Sequence, residues 1–460
     1  MPPMDFSLAR QDSLAVHFIS LGCARNLVDT EVMLGSVLKA GYALAQTVPE
    51  ADFLVVNTCG FLESAREEAY RTLEEIFQER KKGAKVIVAG CMVQNHRLPL
   101  KARFPDIHYF LSAGDVDKIL DALTVMTPGE AVSPTRKSFL QVAETPRLPS
   151  TPKHFAYLKI AEGCKKRCSF CIIPTIKGKL QSKSIEQVER EFRALLQSKV
   201  KEVILIAQDL GDFGKDMGHV KGNLAELLET LDAIPGDFWI RLLYLYPDEI
   251  TDDIIRVMQN SSKILPYIDM PIQHINDRIL KRMHRKTGRA HIEATIQKLR
   301  REIPDIVIRT SLMVGFPGET EDEFEELLAF VKEGHIDNIG FFTYSREELS
   351  HSATLEGHLS EEVKQERLLR IVGAQQEALR AKLLPRFLGK KVEVVIDRKT
   401  EEEGLYVGHA KFQCPDVDGV TYVEGHNLTV GRTYPVRITA FDEYDLVGKV
   451  NRSTLAMALQ

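Results

Sequence analysis

Residues 155–174, FAYLKIAEGCKKRCSFCIIP, decide how the rest of the chain reads. The stretch opens with an apolar run, Phe155 to Ile160, of the kind that forms a buried strand. Three cysteines follow just past it, Cys164, Cys168 and Cys171, in a CxxxCxxC pattern. Thiols this close in sequence converge on one centre only from a loop. Loops at the carboxyl ends of strands are where barrel enzymes place their chemistry. Three ligands differ from four: a structural zinc site or a fully ligated Fe–S cluster takes four protein ligands. A [4Fe–4S] cluster on three thiolates keeps one iron open for a substrate or cofactor. A zinc ion that borrows its fourth ligand elsewhere is the competing reading.

Downstream of this loop, EVILIAQD, WIRLLYLYP, YIDMPIQ, IVIRTSLMVG and NIGFFTYS are the expected strands, with amphipathic helices such as SIEQVEREFRALLQS between them. Six βα units over residues 153–386 imply an open or partial (β/α)6 barrel. The last helix runs from about Glu361 to Leu383 and ends at Pro385.

Upstream, residues 15–125 also alternate. AVHFISLG, DFLVVN and KVIVAG are short apolar runs separated by helical stretches, which predicts an open parallel α/β domain. Each run leads to a cysteine with a glycine beside it: FISLGC to Cys23, LVVNTCG to Cys59 and VIVAGC to Cys91. The carboxyl ends of neighbouring parallel strands line one crevice, so three thiols at equivalent heights can meet there. The glycines let the backbone turn closely around a bulky group. Three buried cysteines acting as small apolar residues are the plainer alternative.

Residues 126–152 hold five prolines and little periodicity, and read as an interdomain linker with little regular structure. Residues 387–456 change texture to short β-branched runs split by Gly, Asp and Asn. That pattern predicts a small antiparallel β-barrel. The chain totals 460 residues, with net charge −5 and seven cysteines. This excludes a disulfide-stapled scaffold and gives no support to bulk binding of nucleic acid. Neither a signal-peptide pattern nor an apolar run long enough to span a membrane is present, so a soluble, cytoplasmic protein is expected.

The segment around Cys164, Cys168 and Cys171 resembles the cluster loop of radical S-adenosylmethionine (SAM) enzymes. Together with Cys23, Cys59 and Cys91, residues 16–456 resemble the methylthiotransferases. That resemblance implies two [4Fe-4S] clusters, one per triad, and S-adenosyl-L-methionine as cofactors. SLGCARNLVDTE, NTCGFLESAREE, AQDLGDFG and YIDMPIQH are similar to the ribosomal-protein branch of the family. The tRNA-modifying branch carries Gln-Met after the first cysteine, where this chain has Ala24 and Arg25. By resemblance, the substrate is ribosomal protein twelve of the small subunit. A methylthio group is added to the β-carbon of an aspartate, and a flavodoxin or ferredoxin serves as electron donor. The last domain resembles the TRAM barrel, which binds RNA in the tRNA branch. From Leu388 to Gln460 it holds nine Lys/Arg against eleven Asp/Glu. An acidic barrel favours a basic protein over RNA, so no direct nucleic-acid substrate is expected.

Candidate SAM or substrate contacts are Gln208, Asp209 and Gln273 at expected strand ends, and Gly315 and Glu319 in MVGFPGET. The basic run Lys165, Lys166, Arg167, Lys177, Lys179 and Lys183 could meet an electron donor or stabilise an anionic cluster. Cys414 is expected as a packed barrel residue outside both triads. A tRNA adenosine methylthiotransferase and a non-enzymatic iron–sulfur protein are the alternatives.

Overall fold

A computed structural model describes residues 14–132, 140, 146–219 and 222–450. The first sheet comprises β1 (Ala15–Ser20), β2 (Ala43–Leu44), β3 (Phe53–Thr58), β4 (Lys85–Gly90), β5 (Ile107–Ser112) and β6 (Gly129–Ala131). Its order is β2-β1-β3-β4-β5-β6, with every pair parallel. β3 and β5 are buried on both faces, which explains their largely apolar sequences. Separate cores cover the two faces, one around Val55 and Ile87 and the other around Leu54 and Val86. The chain reverses its winding between β1 and β3. Such a switch point opens a crevice beyond the carboxyl ends of the strands.

The second sheet comprises β7 (Phe155–Lys159), β10 (Glu202–Ile206), β11 (Trp239–Leu242), β12 (Ile264–Asp269), β13 (Val307–Val314) and β14 (Asn338–Thr343). A small hairpin, β8 (Ala161–Glu162) with β9 (Gln181–Ser182), brackets the cysteine loop. The strands are parallel and follow chain order, and the sheet stays open between β7 and β14. This is the expected partial six-unit barrel. Ala156, Leu158, Val203 and Leu205 face the helices, while Tyr157, Ile204, Ile206 and Tyr267 face inward against Val395, Cys414 and Val28. The other two units therefore pack on the inner side of the second sheet.

The last unit is a closed barrel of β15 (Lys391–Lys399), β16 (Leu405–Ala410), β17 (Thr421–Glu424), β18 (Thr433–Asp442) and β19 (Asp445–Lys449). It is antiparallel except for β17 and β19, which close it as a parallel pair. Cys414 is buried at its junction with the second sheet, as expected for a packed residue. Residues 451–456 of the expected barrel lie outside the described residues.

The expected linker behaves differently where it is described. β6 lies inside it and pairs with β5. A three-residue strand containing Gly129 leaves no periodicity to read, and a Cβ at Gly129 would lie 2.8 Å from the Tyr109 ring. Further on, Arg147 donates to Glu31 and the Leu148 N–H donates to the Glu31 carbonyl. Residues 133–139 and 141–145 of this segment lie outside the described residues. No helix among the described residues is long and apolar enough to cross a membrane.

Candidate metal centres at the seam of the two sheets

Cys23 ends the β1 loop as the N-cap residue of the helix Ala24–Lys39. Cys59 follows β3 directly, and Cys91 opens the helix Cys91–Arg103 directly after β4. The neighbouring glycines bring the three loops into contact. A Cβ on Gly22, at φ +91°, would lie 2.8 Å from Cys59 Cβ. A Cβ on Gly60 would lie 2.7 Å from Met92 Cα, one residue past Cys91. Asn57 ties the loops together: its Nδ2 donates to the Asn26 carbonyl at 2.8 Å and to Thr30 Oγ1 at 2.9 Å.

Water reaches Cys23, yet protein crowds it from most sides. Crowding alone would raise its thiol, but the adjacent Arg25 guanidinium and nearby N–H groups reverse this and hold it below its usual range. Burial dominates at the other two: Cys59 is raised and Cys91 is pushed up to about 12. Thiols of this kind stay protonated unless a cationic centre compensates the thiolate. Such a donor set fits an iron centre.

Cys164, Cys168 and Cys171 line one loop between β8 and the short helix Ile173–Lys177. Cys164 Sγ accepts from the Lys166 N–H at 3.3 Å, and Cys171 Sγ accepts from the Ile173 N–H at 3.4 Å. Burial pushes the Cys164 and Cys171 thiols up to about 12. Arg285 Nη1 donates to Cys168 Sγ at 3.6 Å and lies 4.0 Å over the Tyr246 ring. Sequence patterning missed both residues, because neither belongs to a cysteine motif.

The triads meet across a packed seam. Ile172 and Ile176, just after Cys171, pack against Cys91, Ala113 and Phe61. Beside them Asp29, from the helix of the first sheet, accepts from Lys159 and, at 2.9 Å, from Lys177. Glu162 also pairs with Lys177 at 2.5 Å. All four side chains are buried, so two cations and two anions balance without water.

Among the expected ligand contacts, two glutamines stand ready. Gln208 Oε1, beyond β10, and Gln273 Oε1, beyond β12, are buried without a hydrogen-bond partner among the described residues. Gln273 also sits at φ +73°, a strained conformation for a non-glycine residue that often marks a functional site. The other three are engaged with the protein itself. Asp209 accepts from the Gly211 N–H at 3.1 Å and faces Lys166 at 3.3 Å, while burial lifts its carboxyl to about 7. Glu319 accepts from the Gly315 and Phe316 N–H groups and from Arg367. Gly315 leaves room for the Lys364 stem, 2.3 Å from where its Cβ would stand. Glu319 and Gly315 thus shape their own loop.

The basic run also divides. Lys166 is held by Asp209, Asp212, Asp248 and Glu249, Lys177 by the seam quartet and Lys183 by Glu191. Lys165, Arg167 and Lys179 remain exposed.

Comparison with known proteins decides the family. Residues 158–331 match the radical SAM superfamily, residues 15–112 the uncharacterized protein family UPF0004, and residues 388–450 the TRAM domain. A protein of Protochlamydia amoebophila named ribosomal protein uS12 methylthiotransferase RimO is 53% identical over 439 residues, covering 95% of this chain and 92% of its own. This chain belongs to the uS12 methylthiotransferase family. A namesake from Bdellovibrio bacteriovorus is 42% identical, covering 95% of this chain and 97% of its own. The radical SAM methyltransferase TsrM of Kitasatospora setae shares the fold, with TM-score 0.55 at 15% identity over 73% of this chain and 76% of its own. The cobalamin-dependent radical SAM enzyme OxsB does so at TM-score 0.52 and 11% identity, over 78% of this chain and 56% of its own.

In this radical SAM methylthiotransferase, part of the barrel's charge is turned inward. Asp397 is turned inward onto His154 and His409, and Asp418 onto Tyr267 and Arg309. Two of the carboxylates counted in sequence therefore face the second sheet rather than solvent. Among the described residues this leaves the barrel exterior only slightly acidic, too little to separate a protein substrate from RNA.

Proposed function

We propose that this methylthiotransferase adds a methylthio group to the β-carbon of an aspartate in ribosomal protein uS12, using both triads. The carrying observation is their convergence: two cysteine loops from two parallel sheets abut at one seam through Cys91, Ile172 and Ile176. The names of its relatives supply the substrate. When bound, an iron–sulfur cluster on Cys164, Cys168 and Cys171 supplies the electron for reductive cleavage of SAM, and a second on Cys23, Cys59 and Cys91 supplies a site for sulfur.

The chain's own groups prepare these sites. Arg285 holds Cys168 in place, and Asn57 and the glycines hold the three separate loops together. Gln208 and Gln273 offer free carbonyl oxygens to the ammonium or hydroxyl groups of SAM. Exposed Lys165, Arg167 and Lys179 form a docking edge for an acidic electron carrier such as a flavodoxin or ferredoxin. The enzyme acts in the cytoplasm, where ribosomal proteins are made, and the names of its relatives favour a protein over nucleic acid as its direct substrate.

Mass spectrometry of uS12 from cells lacking this protein tests the assignment. The methylthio increment disappears if the reading holds, and its persistence contradicts it. Nucleoside analysis of tRNA from the same cells remains unchanged on this reading. A lost methylthioadenosine there would favour the tRNA alternative.

A further inference from the structure

One cation between the triads has no carboxylate partner among the described residues. Arg25 leaves the loop just after Cys23, and its Nη1 donates to the Ala207 carbonyl at 2.9 Å, next to Gln208. Its guanidinium lies 4.6 Å over the Tyr244 ring and stands close enough to Cys23 to hold that thiol below its usual range. Tyr244 itself sits at φ +64°, a strained backbone conformation just beyond β11. The arginine thus bridges the two sheets where their carboxyl ends meet.

Most of the buried cations around the site are answered, while Lys165, Arg167 and Lys179 lie exposed to solvent. Lys159 and Lys177 pair with Asp29 and Glu162, Lys166 with Asp209 and Glu249, Arg66 with Glu347 and Arg309 with Asp269. Arg285 lacks a carboxylate too, but it is buried, and its fork is filled by Cys168 Sγ and the Pro271 carbonyl. Arg25 is mostly buried but still reached by water, and with Nη1 on the Ala207 carbonyl it keeps further N–H groups in reserve. A partly desolvated guanidinium with spare N–H groups is matched by a planar carboxylate bound through two parallel hydrogen bonds.

We propose that Arg25 receives the carboxylate of the substrate aspartate and so selects the side chain that is modified. This rests on the uS12 reading above. In aspartate the β-carbon is bonded directly to the carboxyl carbon. A carboxylate held in the guanidinium fork therefore fixes that carbon one bond away, in the gap between the triads. Such anchoring restricts the reacting C–H to few orientations. Asparagine presents an NH2 group to the same fork, and a nucleobase presents no anion.

The test uses full-length, anaerobically reconstituted protein without reductant, so that binding is read without turnover. Calorimetry compares uS12 with its Asp→Asn variant at the modified position. Wild type should bind the aspartate form about thirtyfold more tightly. Arg25→Met should lose that preference and bind both forms equally, whereas Arg25→Lys should keep part of it. Iron content and absorption spectra establish that the clusters persist in the variants. If Arg25→Met loses iron, Arg25→Gln replaces it in the same comparison. A preference of wild-type size in the neutral variant overturns the proposal, as does an equal weakening of both forms with the ratio kept. If wild type fails to bind or modify uS12, the functional reading itself fails and takes this inference with it.

Discussion

Cys164, Cys168 and Cys171 share one short loop, whereas Cys23, Cys59 and Cys91 come from three loops that only the first sheet brings together. The first triad is a local device. Its geometry depends on backbone N–H groups within two residues of the thiols and on the β8–β9 hairpin around it. The second is topological: strand order, three glycines and Asn57 place its thiols. The local triad should therefore tolerate damage to the first sheet, while the dispersed one should be sensitive to any change in loop contact.

The largest expected effect comes from the local triad. Cys164→Ala should abolish SAM cleavage, a loss on the order of a thousandfold or more, and leave about four irons on the other triad. Residual cleavage near the wild-type rate would break the assignment. The next effect lies at the seam between the triads. Asp29→Asn leaves Lys159 and Lys177 sharing Glu162 in a buried site, with an expected cost of about 3–5 kcal/mol in chemical denaturation. An unchanged midpoint would show that the quartet does not hold the two units together.

Gly22→Ala sharpens the comparison directly. Its new Cβ would stand 2.8 Å from Cys59 Cβ at a φ that L-residues avoid. Iron at the dispersed triad should fall while SAM cleavage at the local triad persists, and stability should drop by roughly 1–3 kcal/mol. Equal loss at both triads would mean that they are not independently built.

The smallest effect concerns the barrel, which carries neither triad. Burial would lower His409, but Asp397 and Glu202 outweigh it and raise the imidazole to about 9. A pKa raised on folding contributes stability that is fully present below the unfolded value near 6.5 and is lost as pH rises through about 9. Melting temperature should therefore decline between roughly pH 7 and pH 9.5, by no more than about 3 kcal/mol in stability. His409→Gln should flatten that part of the profile.

The local triad was plain in the sequence because ligand spacing and site geometry coincide along the chain. The dispersed triad was legible only because Cys23, Cys59 and Cys91 each follow an apolar run with a glycine alongside. Nothing in the sequence pattern marks what Arg25, Asp29, Tyr246 and Arg285 touch, since those contacts join units far apart in sequence. What Glu319 does within the protein was hidden for a related reason: Arg367, which donates to it, comes from a distant helix. β6 escaped because three residues with a central glutamate carry no pattern.

The central claim is that two triads with separate tasks meet at one seam, and Cys91→Ala tests it most directly. The reconstituted variant is incubated with SAM, reductant and uS12, and both products are quantified by mass spectrometry. The account predicts 5′-deoxyadenosine at near wild-type yield and no methylthio group on uS12. Methylthiolated uS12 at the wild-type rate would contradict it.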